Sequence, residues 1–197
     1  MSPRLSVLLP AYNEAENLRE LVPEIGQVLD AAGISHEIVV VDDGSTDDTR
    51  SVMKGLRGAT VRSIRLRRNS GKSAALAVGI EQVEGEFLAL MDADGQDDPE
   101  ELPRLLGHLE EASLDLVTWR RSVRNDRFVK RTTSKLYNGA TATVTGVPGR
   151  DFNSGLKVMT TELARSVELY GELHRYIPVL AVWNGFEVGE LDVAHHE

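Results

Sequence analysis

Short apolar runs in the first 118 residues stop abruptly in acidic or glycine-containing segments, and most are followed by a helical pattern. Leu5–Pro10 gives way to Ala11-Tyr12-Asn13-Glu14. A helix is expected over 16–32, with Leu18, Leu21, Val22, Ile25, Val28 and Leu29 on one face, Pro23 as a kink point and Gly33 as its stop. Glu37–Val41 ends in Asp42-Asp43-Gly44-Ser45-Thr46-Asp47. Val61–Leu66 leads to Asn69-Ser70-Gly71-Lys72-Ser73 and a helix from Ala74 to about Val83. Phe87–Met91 breaks into Asp92-Ala93-Asp94-Gly95-Gln96-Asp97-Asp98-Pro99, which opens a helix over 100–112, and Leu114–Thr118 is a fifth strand. Continuous apolar runs, without polar alternation, are strands buried on both faces. The expected fold is therefore α/β: a doubly wound, mostly parallel sheet with helices on both faces.

At 197 residues the chain has the size of one domain with a substantial core. Beyond Thr118 the pattern changes. A helix is expected over about 128–144, a turn-rich loop over 147–155, a strand over 156–159, helices over 161–169 and 173–183, and a strand over 187–193. This C-terminal half would cap the strand ends and receive a second substrate. The formal charge of −9 argues against nucleic-acid binding. Trp119–Lys135 runs the other way, with seven basic residues and one acidic. With no cysteine, a disulfide scaffold, a thiolate zinc site and a cysteine nucleophile are excluded. No stretch has the length of a membrane span, so a soluble or peripheral protein is expected.

Open parallel sheets bind ligands beyond the carboxyl ends of their strands. There, Asp92, Asp94 and Gln96 offer hard oxygen donors suited to Mg²⁺ or Mn²⁺, and they are equally suited to a plain acidic loop before a helix. Two other nucleotide sites fail on their glycines. The turn after the first strand has none, against a dinucleotide fingerprint, and Leu66 stands where a Walker loop ending in Gly71-Lys72-Ser73 needs one. What remains is a set of carboxylates at three strand ends: Glu14, Asp42 with Asp43, and Asp92 with Asp94. Tyr12 adds a stacking face and Lys72 a positive charge. An anionic diphosphate would need a divalent cation between it and these acids. Each residue alone also has a cap, turn or surface reading; their joint occurrence is what points to a site.

In order and spacing these segments resemble the family-2 glycosyltransferases of GT-A fold, and in particular their polyprenyl-phosphate, dolichyl-phosphate mannose synthase-like branch. Lys130-Arg131 with Ser134 and Asn138, Asp151-Phe152-Asn153-Ser154-Gly155-Leu156-Lys157 and His174-Arg175-Tyr176-Ile177-Pro178 are similar to that branch's acceptor half. The resemblance implies a nucleotide-sugar half over 1–118 and an acceptor half over 119–197. It implies that Pro10, Tyr12, Glu14, Val41 and Asp43 hold base and ribose, that Asp92, Ala93 and Asp94 line the sugar nucleotide, and that Asp94 and Gln96 bind the metal. Arg121 and Arg131 would reach phosphates, with Ser134 beside them. Trp119 replaces a usual glycine, which leaves Arg120 as a substitute for Arg121. The family continues beyond this chain's end into a basic segment and membrane helices, so a truncated or catalytic piece is expected, at the inner face of the membrane. His195 and His196 read as a disordered end.

The implied reaction moves a hexose from a UDP or GDP donor to a polyprenyl phosphate, with inversion. A phosphate nucleophile is already ionised, so a basic patch can replace a general base. A saccharide hydroxyl acceptor would instead call on Asp151 as base, whereas the lipid-phosphate reading gives Asp151 a positioning or turn-capping role. A nucleotide-sugar-binding module without turnover is the third reading. The sequence does not specify an oligomeric state.

Overall fold

The computed structural model describes residues 2–120 and 155–192. Its strands are β1 (Leu5–Ala11), β2 (His36–Asp42), β3 (Val61–Arg65), β4 (Phe87–Leu90), β5 (Leu116–Arg120), β6 (Lys157–Thr160) and β7 (Val188–Asp192). Its helices are α1 (Ala15–Ala31), α2 (Thr49–Leu56), α3 (Lys72–Ile80), α4 (Glu101–Glu111), α5 (Thr161–Ser166) and α6 (Ile177–Trp183); a 3₁₀ turn, Leu173–Tyr176, leads into α6. The strands form one sheet in the order β3-β2-β1-β4-β6-β5-β7. Neighbours are parallel except where β6 pairs antiparallel with β4 and β5.

The alternation of side chains across the sheet builds two cores. Leu5, Val7 and Leu9 of β1 join Ile38, Val40 and Ala89 beneath α1, α2 and α4. Leu8, Val39, Val41, Leu88 and Leu90 face the other way, onto α3, α5 and α6. Each such leucine or valine stabilises the fold by about 1.5–3 kcal/mol. Gly79 lets α3 lie close on β1: a Cβ there would stand 2.3 Å from the Leu8 side chain.

The mostly parallel sheet is as expected, with local differences. The fifth strand is separated from β4 by β6, a chain-distant insertion. The polar segment after β2 forms α2, an eight-residue helix that buries Thr49, Val52 and Met53 on one face. α3 begins at Lys72, and the expected 173–183 helix is divided between a 3₁₀ turn and α6. Pro23 does not end α1; it is exposed, so the carbonyl it leaves unpaired faces water.

At the amino edge of the sheet a carboxylate is locked in. Glu37 Oε1 accepts from Ser6 Oγ and the Glu84 N–H, both at 2.6 Å. Its Oε2 accepts from Arg62 Nε at 2.9 Å and also from Nη2. Ser6 Oγ in turn accepts the Gly85 N–H at 2.9 Å. This network fixes the connection from α3 into β4.

Candidate active site

Three loops are stitched together at the carboxyl edge. Parallel register sets Ala11 beside Asp42 and Asp42 beside Arg65. Asp42, fully buried, accepts from Arg65 Nη1 at 2.9 Å and from the Ser45 N–H at 2.7 Å. The Asp43 carboxylate accepts the N–H groups of Ser70 and Gly71 at 2.7 and 2.8 Å, tying the β3–α3 loop to the β2 turn. Gly44 (φ +73°) permits this approach; a Cβ there would lie 2.5 Å from the Arg68 carbonyl carbon. Asn13, in the left-handed region, donates its N–H to Ser45 Oγ and accepts the Thr46 N–H, each at 2.9 Å. Asparagine tolerates that conformation better than most residues.

The start of α1 is capped from this neighbouring loop. Thr49 Oγ1 accepts the Glu14 N–H at 3.0 Å, and Asp47 accepts from Ala15 at 3.4 Å and from the Thr49 N–H at 3.0 Å. Partial desolvation pushes the Asp47 carboxyl up, but these hydrogen bonds outweigh it and hold its pKa below the ordinary value. Glu14 itself accepts from the Asn17 side chain at 2.6 Å. Tyr12 is exposed beside this frame, and Val41 is fully buried, so only its main chain can meet a ligand.

Beyond β4 the fixed polar groups give way to half-exposed ones. Lys72 Nζ forms an ion pair with Asp92 Oδ1, with about a third of each side chain open to solvent, 34% and 33%. Gly155 brings its main chain against the same carboxylate: a Cβ there would lie 3.0 Å from Asp92 Oδ2 and 2.6 Å from Asp97 Oδ2. Because β6 runs antiparallel, Lys157 pairs with Leu90 and is delivered to the same edge. Asp92, Lys72 and Pro10, together with Lys157, His174 and Arg175, line a cleft of about 340 Å³. The 3₁₀ turn reaches it through Ser73 Oγ, which lies 2.9 Å from His174 Nδ1 and accepts the His174 N–H at 3.4 Å. Burial, then the charge of Lys72, lowers the His174 pKa from its usual value near 6.5.

Asp94 and Gln96 line a second cleft, of about 460 Å³, against Asn17, Glu20 and Glu24 of α1. Asp94 Oδ1 accepts the Gln96 N–H at 3.1 Å across Gly95 (φ +70°). The buried Ala93 side chain lies between the two clefts in sequence. Among the described residues no three His, Cys, Asp or Glu side chains form a metal-holding group. Asp94 and Gln96 are exposed hard-oxygen donors, too few to complete a coordination sphere. That fits Mg²⁺ or Mn²⁺, which commonly keep water and take substrate phosphate as ligands.

The structure thus brings Pro10, Lys72 and Asp92 to one cleft and Asp94 with Gln96 to another, while Asp43 and Glu14 shape the loops between strand ends. Arg121, Arg131, Ser134 and Asp151 lie outside the described residues, as do the expected 128–144 helix and most of the 147–155 loop. Gly155, Lys157 and Ser73 fell within motifs read from the sequence but were given no individual role there. Ser73 meets the chain-distant His174 and Lys157 is set beside Leu90 by strand pairing; the hint was the buried strand interrupted by a lysine.

A glycosyl transferase family 2 model matches residues 6–175. Dodecaprenyl-phosphate galacturonate synthase of Rhizobium johnstonii is 34% identical over 201 residues, covering 99% of this chain and 60% of that protein. Undecaprenyl-phosphate 4-deoxy-4-formamido-L-arabinose transferase of Shewanella sediminis is 34% identical over 198 residues, covering 98% and 59%. A mannosyltransferase of Pyrobaculum calidifontis, solved in complex with GDP-Man and Mn²⁺, superposes with a TM-score of 0.70 at 19% identity, over 98% of this chain and 55% of that one. The sheet is the GT-A arrangement expected from the motifs. The chain belongs to glycosyl transferase family 2. It spans about 60% of the length of the curated relatives it matches.

Proposed function

We propose that this chain is the catalytic domain of an inverting glycosyltransferase that moves a hexose from a nucleoside diphosphate to a polyprenyl phosphate. The observation that carries this reading is the pair Asp92 and Asp94, set after β4 so that one faces a basic cleft and the other an oxygen-donor loop. The names of the two polyprenyl-phosphate sugar transferases support the acceptor class.

Asp94 and Gln96 would hold a divalent cation, which supplies Lewis-acid stabilisation of the departing diphosphate when bound. The chain's own residues do the rest. The frame anchored by Asp42 and Asp43 orients the base and ribose beside Tyr12, and Lys72, at the first turn of α3, adds positive potential for phosphate. Lys72 also holds Asp92 in place while the donor enters. Alignment of nucleophile, anomeric carbon and leaving oxygen supplies much of the remaining rate gain. Arg121 and Arg131, with Ser134, take the acceptor phosphate in this reading, and Asp151 positions it; no helix among the described residues is long and apolar enough to cross a membrane. Docking at the cytoplasmic membrane surface through the basic stretch completes the proposal.

The test is transfer of radiolabelled sugar from nucleotide to polyprenyl phosphate by the full-length protein, with and without EDTA. Chelation abolishes transfer if Asp94 and Gln96 act through a cation. Arg131→Ala is expected to damage activity more than Asp151→Asn; the reverse order would favour a hydroxyl acceptor. Nucleotide binding without any transfer would leave a binding module.

A further inference from the structure

Four consecutive residues at the start of α3 reach three other parts of the fold. The Ser70 and Gly71 N–H groups bond to Asp43, Lys72 pairs with Asp92, and Ser73 meets His174. These ties hold the β2 turn, the end of β4 and the 3₁₀ turn. Lys72 and Arg175, the sequence neighbours of Ser73 and His174, line the same 340 Å³ cleft. The Ser73–His174 contact therefore sets where those two cations stand relative to each other.

Its chemistry turns on one proton. Ser73 Oγ accepts the His174 main-chain N–H at 3.4 Å and lies 2.9 Å from Nδ1. Among the described residues, both contacts of this hydroxyl are with His174. Ser73 is 2% exposed and is the second residue of α3, so water does not reach it and no helical turn precedes it to offer a carbonyl. The hydroxyl hydrogen therefore goes to Nδ1, and the ring hydrogen sits on Nε2. A protonated ring has no acceptor. Two N–H groups would then converge on Oγ, and its own hydrogen would lose its partner, the costly case for a buried polar group. The surroundings favour the neutral ring: burial and Lys72 of α3 lower its pKa, Arg175 of its own turn and Lys157 of β6 act the same way, and Glu172 opposes them.

We propose that neutral His174 is a positioning residue for sugar transfer: its Nδ1 accepts from Ser73 and so keeps Lys72 and Arg175 on the cleft, and protonation of the ring releases this tie. The inference rests on the transferase reading above and adds an acid limit to it.

Nitrogen NMR of the wild-type chain near pH 8 should show the His174 hydrogen on Nε2 and Nδ1 bare. Transfer by the full-length protein is then followed from about pH 8 to about pH 5.5, the range of histidine titration, with circular dichroism showing that it stays folded. His174→Ala should lower kcat roughly 2–10-fold at the alkaline end, the scale of one neutral hydrogen bond. His174→Asn, whose side-chain oxygen accepts from Ser73 and does not titrate, should recover that loss. The ratio of wild-type to His174→Asn turnover should fall by a similar factor towards the acid end; titration of the phosphate acceptor is common to both proteins and cancels. A hydrogen on Nδ1 overturns the inference, as does a ratio that does not change with pH, or a His174→Asn variant no better than His174→Ala. In each case the transferase reading stands. If the wild-type protein transfers no sugar at any pH, that reading fails and this inference with it.

Discussion

The two edges of the sheet use carboxylates in opposite ways. At the amino edge, Glu37 is buried and each of its oxygens takes two donors, so no capacity is left for a ligand. At the carboxyl edge, Asp92 and Lys72 hold each other while a third of each stays open, and Asp94 lies exposed in its loop. A saturated carboxylate resists exchange because any new partner must displace a buried hydrogen bond. A half-exposed ion pair costs little to rearrange. Asp42 and Asp43 show that the division is not simply one edge against the other. They sit at the carboxyl edge yet are internally bonded, and they act as the frame on which the exchangeable groups are mounted.

The largest test of this contrast is Glu37→Ala. It strands the Ser6 hydroxyl and the Glu84 N–H without their acceptor, while Arg62 keeps the Gln82 carbonyl and Glu84, and about 1–3 kcal/mol of stability per stranded donor should be lost in denaturant unfolding. Asp94→Asn should do the reverse: melting temperature unchanged, transfer reduced by about 10²–10³-fold, as for loss of one preorganised electrostatic group. If Asp94→Asn instead unfolds the protein, the distinction between structural and exchangeable acids is wrong. Gly155→Ala sharpens the boundary between them. Its Cβ would press on Asp92 and Asp97, so a stability loss of about 1–3 kcal/mol should accompany weakened donor binding.

Smaller effects follow from the caps and the latch. Asp47→Ala should cost about 1 kcal/mol, the scale of a lost helix cap, read as a small fall in melting temperature. Because the Asp47 pKa is lowered in the folded chain, its contribution is full above the unfolded value of 3.8 and fades as pH falls through the lower folded value. His174 is lowered as well, so its folded site favours the neutral ring. Stability is therefore lost as pH falls below its unfolded value near 6.5, and Lys72→Met, which removes the largest charge opposing protonation, should flatten that part of the pH profile.

Much of the frame was legible because it is local. A strand buried on both faces must be apolar throughout, and its end must turn polar, so Asp42-Asp43 and Asp92-Ala93-Asp94 mark where β2 and β4 stop. α2 was not read from the sequence, since at eight residues its apolar face is only a few side chains wide, among them Val52 and Met53, and it is surrounded by polar residues. The bonds of the Asp43 carboxylate to Ser70 and Gly71 were not legible, because they depend on a loop 27 residues away.

By itself the sequence determined the strand–helix alternation and the acidic strand ends, because these follow from burial and turn chemistry within a few neighbouring residues, and the order and spacing of its motifs carried the resemblance to the family. Only the tertiary structure decided that β6 enters antiparallel between β4 and β5, carrying Gly155 and Lys157 to Asp92, and that His174 docks on Ser73 across 101 residues. Strand pairing and side-chain convergence are set by which surfaces bury each other once the chain is compact. That choice is not written in any local stretch.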